Sequence, residues 1–232
     1  MIKVISSKEM GKSNQGWLHS TFHFSFAEYF NPNNINFGAL RVVNDDHFDP
    51  HGGFSTHPHR DMEIISYVID GHLTHKDSMN NERTLQRGEV QYMSAGKGVT
   101  HSEYNHTDDP LRFLQIWIFP DKAGYTPNYG DMRYKWEERL NKWLVIASGN
   151  NKSPVSIHQD MDLSVVYLTK GNKITYELKK NRQAYLIQIE GSGLINGLIL
   201  EEKDAAEIRE PQIIELEATS DAHYILFEMS EE

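Results

Sequence analysis

The sequence predicts an all-β protein of two successive β-barrels with few, short helices. Three observations carry that expectation. Short runs rich in Val, Ile, Tyr, Phe and Thr recur along the chain. Gly, Asn and Asp separate them, and helical periodicity is scarce. Many short strands at regular spacing are the pattern of a sandwich or barrel.

In order, strands are expected at "ALRVVND", "EIISYVI", "HLTHKDS", "EVQYMSA", "VTHSEYN" and "RFLQIWI". Asp70-Gly71, Asn80-Asn81 and Arg87-Gly88 supply turns between them. A short helix is expected at "DMRYKWEERL", in mid-chain. Strands resume at "LSVVYLT", "KITYEL", "AYLIQIE", "QIIELE" and "HYILFEM". Their turns fall at Lys170-Gly171-Asn172, Gly191-Ser192-Gly193 and Asn196-Gly197. "YVIDGHLTH" from Tyr67 is echoed by "IQIEGSGLI" from Ile187, an offset of 120 residues. An echo at half the chain length points to two copies of one unit. The expected domains are residues 1–135 and 136–232.

The 232 residues suit one large domain or two small ones. A net charge of −10 opposes binding to nucleic acid or anionic membrane. Lys179, Lys180 and Arg182 form the densest basic patch and read as a solvated turn. Cysteine is absent, which excludes disulfides and Cys-type zinc or iron–sulfur sites. The first twenty residues lack the apolar core of a secretory signal, and no apolar run approaches the ~20 residues of a membrane helix. A soluble, cytoplasmic monomer is expected.

Histidine is the unusual count: twelve, of which eight fall between His47 and His106. Residues i and i+2 of a strand point to one face, so two imidazoles there can converge on one ion. His57 and His59 have this spacing, as do His101 and Glu103. Two such pairs from neighbouring strands give three nitrogens and one carboxylate, a set suited to a divalent transition metal with open positions. A lone H-x-H is common on surface strands, and it is the second pair that strengthens the metal reading. Pro58, which cannot donate to a ladder, argues for an edge position. Gly52 and Gly53, and Gly96 and Gly98, provide flexible corners before each pair.

These residues resemble the cupin signature. Gly52 or Gly53, His57, His59, Glu63 and Gly71 match its first motif. Gly88, Ser94-Ala95-Gly96 and His101 fit the second loosely, with Ser94 in place of proline and the histidine two residues late. "THPHRDMEIISYVIDG", "HKDSMNN", "GEVQYMSAGKGVTHSEYN" and "QIWI" resemble the pirin family, as does "FSFAEYFNPNNINFGALRVVNDD" upstream. The likeness is strong over residues 20 to 130 and weaker beyond, where "SIHQDMDL" continues it. It is nearest to short bacterial pirin-like quercetin 2,3-dioxygenases. It implies a bicupin, two jelly-roll barrels face to face with metal in the first alone. The implied ligands are His57, His59, His101 and Glu103. Glu63 ranks behind them. At the 120-residue offset, Glu177 and Lys179 stand where His57 and His59 would be, so the second barrel is expected to be metal-free.

The resemblance implies a flavonol dioxygenase acting on a small planar aromatic substrate and O2, releasing carbon monoxide, with Glu103 as general base. Iron(II) is the expected metal, and the same donors suit Mn, Ni, Cu or Zn. The alternative is a metal-containing regulatory binding protein without turnover. His75 and Asp77 share a strand face. An exposed strand pair is the favoured reading, ahead of partners that orient a ligand imidazole. His47 and His51 read as loop residues first and substrate contacts second. His72, His106, His158 and His223 carry no spacing argument. Met62, Met93, Phe113 and Trp117 are expected in the core, with a smaller chance of lining the metal pocket.

Overall fold

The computed structural model describes residues 1–231. The chain begins with β1 (Ile2–Ile5), β2 (Gly11–Asn14), β3 (Leu18–Phe22), β4 (Leu40–Phe48), β5 (Gly53–His59), β6 (Glu63–Asp70) and β7 (Leu73–Asp77). There follow β8 (Glu82–Leu85), β9 (Val90–Ser94), β10 (Val99–Tyr104), β11 (Leu111–Ile118), β12 (Asn128–Met132), β13 (Leu144–Ser148) and β14 (Met161–Leu168). Next come β15 (Lys173–Leu178), β16 (Arg182–Glu190), β17 (Gly193–Ile195), β18 (Leu198–Leu200), β19 (Ala205–Ile208), β20 (Gln212–Ala218) and β21 (Ala222–Ser230). Every strand expected from the sequence is present.

The expected helix is largely absent. Asp131 and Met132 extend β12 and pair with Gln91 and Val90 of β9. Only Trp136–Arg139 makes a 3-10 turn, closed by the Lys135 N–H donating to the Glu138 carboxylate at 2.7 Å. Sheet pairing outweighs a helical propensity that is weak per residue. Among the described residues, no helix is long and apolar enough to cross a membrane.

Two compact units form. One holds Gly11–Tyr134 with Ile157–Gln159; the other holds Met1–Met10, Lys135–Ser156 and the chain from Asp160 on. Each is two sheets rather than one closed barrel. The first unit has the orders β12-β9-β6-β11-β4-β3-β2 and β5-β10-β7-β8. The second has β1-β19-β16-β21-β14-β13 and β15-β20-β17-β18. Adding ten to each label of β5-β10-β7-β8 and of β9-β6-β11-β4-β3 reproduces the second unit. The echoed glycines sit at the same corner. Gly71 (φ 81°) and Gly191 (φ 75°) have left-handed backbone, and a Cβ there would meet the carbonyl of Pro110 or Asp221. Only glycine fits both demands.

The second unit is filled with apolar side chains, among them Leu178, Leu186, Ile195, Ile214, Leu216 and Leu226, all essentially inaccessible to solvent. Its counterparts of His57 and His59 are Tyr176 and Leu178, one residue short of the simple offset. Tyr176 pairs with Ile214 of β20 as His57 pairs with His101 of β10. A one-residue slip reverses the face of every strand residue, so Glu177 and Lys179 are exposed instead. Arg182 also departs from expectation: it begins β16 and pairs with Asp160 and Glu228.

Candidate metal centre

β5 is an edge strand paired only with β10, which is what Pro58 requires. In that pairing His57 lies opposite His101 and His59 opposite Val99. The register shifts between His101 and Glu103, where Glu103 lies opposite Phe54. This bulge lets Phe54 and His57, three residues apart, face the same interior. The three imidazole rings come together, with centroids 4.5 Å apart for His57–His101, 4.8 Å for His57–His59 and 4.9 Å for His59–His101. One nitrogen from each lies within 4.8 Å of the others.

The nitrogens suit a metal. His57 Nδ1 lies 2.7 Å from the Ser55 carbonyl, which can only accept, so Nδ1 carries the proton and, in a neutral ring, Nε2 carries the lone pair. His101 Nε2 is buried and has no hydrogen-bond partner among the described residues. Burial, with the neighbouring imidazoles, lowers His101 to about 3 and His59 to about 4. Both are therefore neutral near pH 7 and able to donate a lone pair. A buried donor atom with nothing to bind, among neutral imidazoles, fits a borderline divalent cation.

Glu103 occupies a different position in this constellation. Its carboxylate groups with His101 and His75, rather than with His57 and His59. A transverse row of polar residues on the facing sheet holds it. Asn44, Gln115, Ser66 and Gln91 are successive cross-strand partners over β4, β11, β6 and β9. Ser66 Oγ and Gln91 Nε2 donate to Glu103 Oε1 at 2.7 and 2.9 Å, and Gln115 Nε2 donates to Oε2 at 2.5 Å. The sequence reading missed this row. Its signal is a buried polar residue at the matching position of four neighbouring strands, visible only once the register is known.

Beside His57 and His59 lies a cavity of about 220 Å³. Phe26, Phe54 and Trp117 form its apolar wall, and Asn44, Asp46 and Gln115 its polar wall. Trp117, expected mainly in the core, packs edge-on to His59 at 4.9 Å. Asp46 was not anticipated. It is fully buried, and desolvation raises it to about 7, against the hydroxyl of Ser20 and helped by Asp45 and Glu103.

His75 and Asp77 are not an exposed pair: His75 is inaccessible and Asp77 is buried. Asp77 loses hydration, yet hydrogen bonds from Asn81, His75 and the backbone outweigh that and hold it below the ordinary carboxylate range. Glu63 is occupied elsewhere, accepting from Tyr92, Ser94 and the His158 backbone at 2.7, 2.7 and 3.0 Å. His158, which carried no spacing argument, thus anchors 157–159 to the first unit, stacked on Tyr125. His51 and His47 pair with Asp108 and Asp45 and do not line the cavity.

Residues 4–118 match the family model described as Pirin, and residues 134–229 match the one described as quercetinase C-terminal cupin domain. The chain belongs to the pirin family. Its fold is accordingly the bicupin one. A quercetin 2,3-dioxygenase of Escherichia coli (strain K12) is 39% identical over 230 residues, covering 99% of each chain. A pirin-like protein of Caulobacter vibrioides is 41% identical over 220 residues, 94% of this chain and 95% of that one. The bacterial pirin YhhW of Escherichia coli, crystallised in complex with nickel(II), superposes with a TM-score of 0.93 at 37% identity, covering 100% of both chains.

Proposed function

We propose that this pirin is a metal-dependent dioxygenase that opens the heterocyclic ring of a flavonol such as quercetin with O2 and releases carbon monoxide. The observation that carries the proposal is the convergence of His57, His59 and His101, the first two on the wall of an aromatic-lined cavity, with the buried Nε2 of His101 without a partner among the described residues. The dioxygenase name of the Escherichia coli relative supports the reaction class, and the nickel(II) of YhhW supports a metal in this fold.

In this reading His57, His59, His101 and Glu103 hold one divalent metal in the N-terminal unit, and the C-terminal unit holds none. Iron(II) is the expected ion. When bound, the metal supplies Lewis acidity toward an enolic oxygen of the substrate. Glu103 accepts the proton of the flavonol 3-hydroxyl, its carboxylate oriented by Ser66, Gln91 and Gln115. Phe26, Phe54 and Trp117 take the flat rings and exclude water. Asn44, Asp46 and Gln115 face the substrate's hydroxyls.

The test is aerobic loss of the quercetin absorbance band with protein reconstituted separately with Fe(II), Mn(II), Ni(II) and Cu(II). Loss with at least one metal, abolished in His101→Ala, is the expected result. No loss with any metal would favour a regulatory binding protein without turnover.

A further inference from the structure

We propose that Asp77 and His75 form a positioning chain that fixes His101 as its Nδ1–H tautomer and so aims the Nε2 lone pair at the metal site. The inference rests on the metal-site reading above and adds what makes that site selective for one state of its most buried histidine ligand.

The chain starts at a turn. Asp77 ends β7, and the reversal into β8 passes through Asn80 in left-handed backbone (φ 69°). The N–H groups of Met79 and Asn81 donate to Asp77 Oδ1 at 2.9 and 3.1 Å. The Asn81 amide donates to both carboxylate oxygens. The carboxylate is thereby fixed before it meets any imidazole. Its Oδ2 lies 3.2 Å from His75 Nε2. A carboxylate only accepts, so Nε2 of His75 carries the proton and, in a neutral ring, Nδ1 carries the lone pair.

His75 Nδ1 faces two groups, His101 Nδ1 at 3.4 Å and Gln91 Nε2 at 3.3 Å. The orientation of Gln91 follows from Glu103, whose carboxylate needs the amide nitrogen and not the oxygen. Gln91 is thus a donor toward His75, and His101 Nδ1 is the second neighbour of the same lone pair. Two nitrogens 3.4 Å apart with no proton between them would set lone pair against lone pair, whereas the contact becomes a hydrogen bond with a proton on Nδ1 of His101. Its Nε2 is then a bare lone pair, and that is the atom left buried without a partner. Tyr129 stacks on the His75 ring at 5.0 Å and 21°, which holds the plane of the relay.

The same contacts argue against His75 as a ligand. His75, His101 and Glu103 lie close enough to hold an ion. In that group the one available lone pair of His75, on Nδ1, is nevertheless used by hydrogen bonds. An imidazole whose other nitrogen donates to a carboxylate or its relay is the usual support of a metal-bound histidine, and loss of such support costs affinity rather than the site itself.

The test begins with metal-free, 15N-histidine-labelled wild-type protein, whose two-bond 1H–15N spectra report tautomers. His101 as Nδ1–H with His75 as Nε2–H is expected; His101 as Nε2–H, or an exchanging mixture, overturns the proposal. Calorimetric Ni(II) titration then compares His75→Leu with His75→Gln. His75→Leu should weaken binding about tenfold or more, while His75→Gln, whose carbonyl can accept from His101, should stay within about threefold of wild type. Equal losses in the two variants would make His75 a ligand and overturn the positioning role. If wild type binds no Ni(II), the metal-site reading falls, and the tautomer spectrum still decides the relay.

Discussion

The two units share a strand order, yet their interiors have opposite chemistry. In the first, the row Asn44, Gln115, Ser66 and Gln91 crosses the large sheet and grips Glu103 from the facing one. In the second, the equivalent row is Ser164, Leu226, Leu186 and Ala206. Opposite it, Leu216 stands for Glu103 and Ile214 for His101, while Ile195 stands for His75 at the 120-residue offset. One fold thus encloses a polar layer or an apolar one, depending on fewer than a dozen side chains. The lesson is that the carboxylate and its donors form a set. A buried carboxylate is tolerable only with its hydrogen bonds, and a row of buried amides only with something to bond.

The comparison can be broken most severely from the apolar side. Leu216→Glu places a carboxylate opposite a row whose one polar member is Ser164 and should cost about 3–5 kcal/mol, the scale of an uncompensated buried charge. Adding Leu226→Gln supplies one donor and should recover part of the loss in urea unfolding. If the double variant is no better than the single, the row is not what makes Glu103 tolerable. Next in size, Glu103→Gln should retain some metal and lose about 10²–10⁴-fold in flavonol turnover, the usual contribution of general base catalysis. Full activity in that variant removes Glu103 as base.

A smaller effect is expected for Gln115→Leu, which copies the second unit into the first. It leaves Glu103 Oε2 without its donor and should destabilise the metal-free protein by about 1–3 kcal/mol. The smallest effect concerns Asp46. Its carboxyl is raised from 3.8 to about 7 by burial, so the folded state favours the protonated form. That stability is fully present below pH 3.8 and fades as pH rises through about 7. Asp46→Asn, which stays neutral, should therefore gain thermal stability relative to wild type at pH 8 more than at pH 5, measured without metal. An unchanged difference across that range would place the Asp46 titration elsewhere.

Much of this was legible in the sequence. The short runs rich in Val, Ile, Tyr, Phe and Thr, with turn residues between them, give the strands, and the spacings His57/His59 and His101/Glu103 give the face. Four features were not. The H-x-H pair lies on its own strand, because the turn at Arg60–Met62 separates it from the apolar run that follows. The Asn44–Gln91 row depends on cross-strand register, which no local pattern encodes. The same limit hid the burial of His75 and the one-residue slip that turns Glu177 and Lys179 outward.

The central claim is a single metal held by the first unit and none by the second. Native mass spectrometry of Ni(II)-reconstituted protein tests it most directly. The account predicts one ion per chain in wild type and in Glu177→Ala, and none in His101→Ala. Two ions per chain, or one retained in His101→Ala, would contradict it.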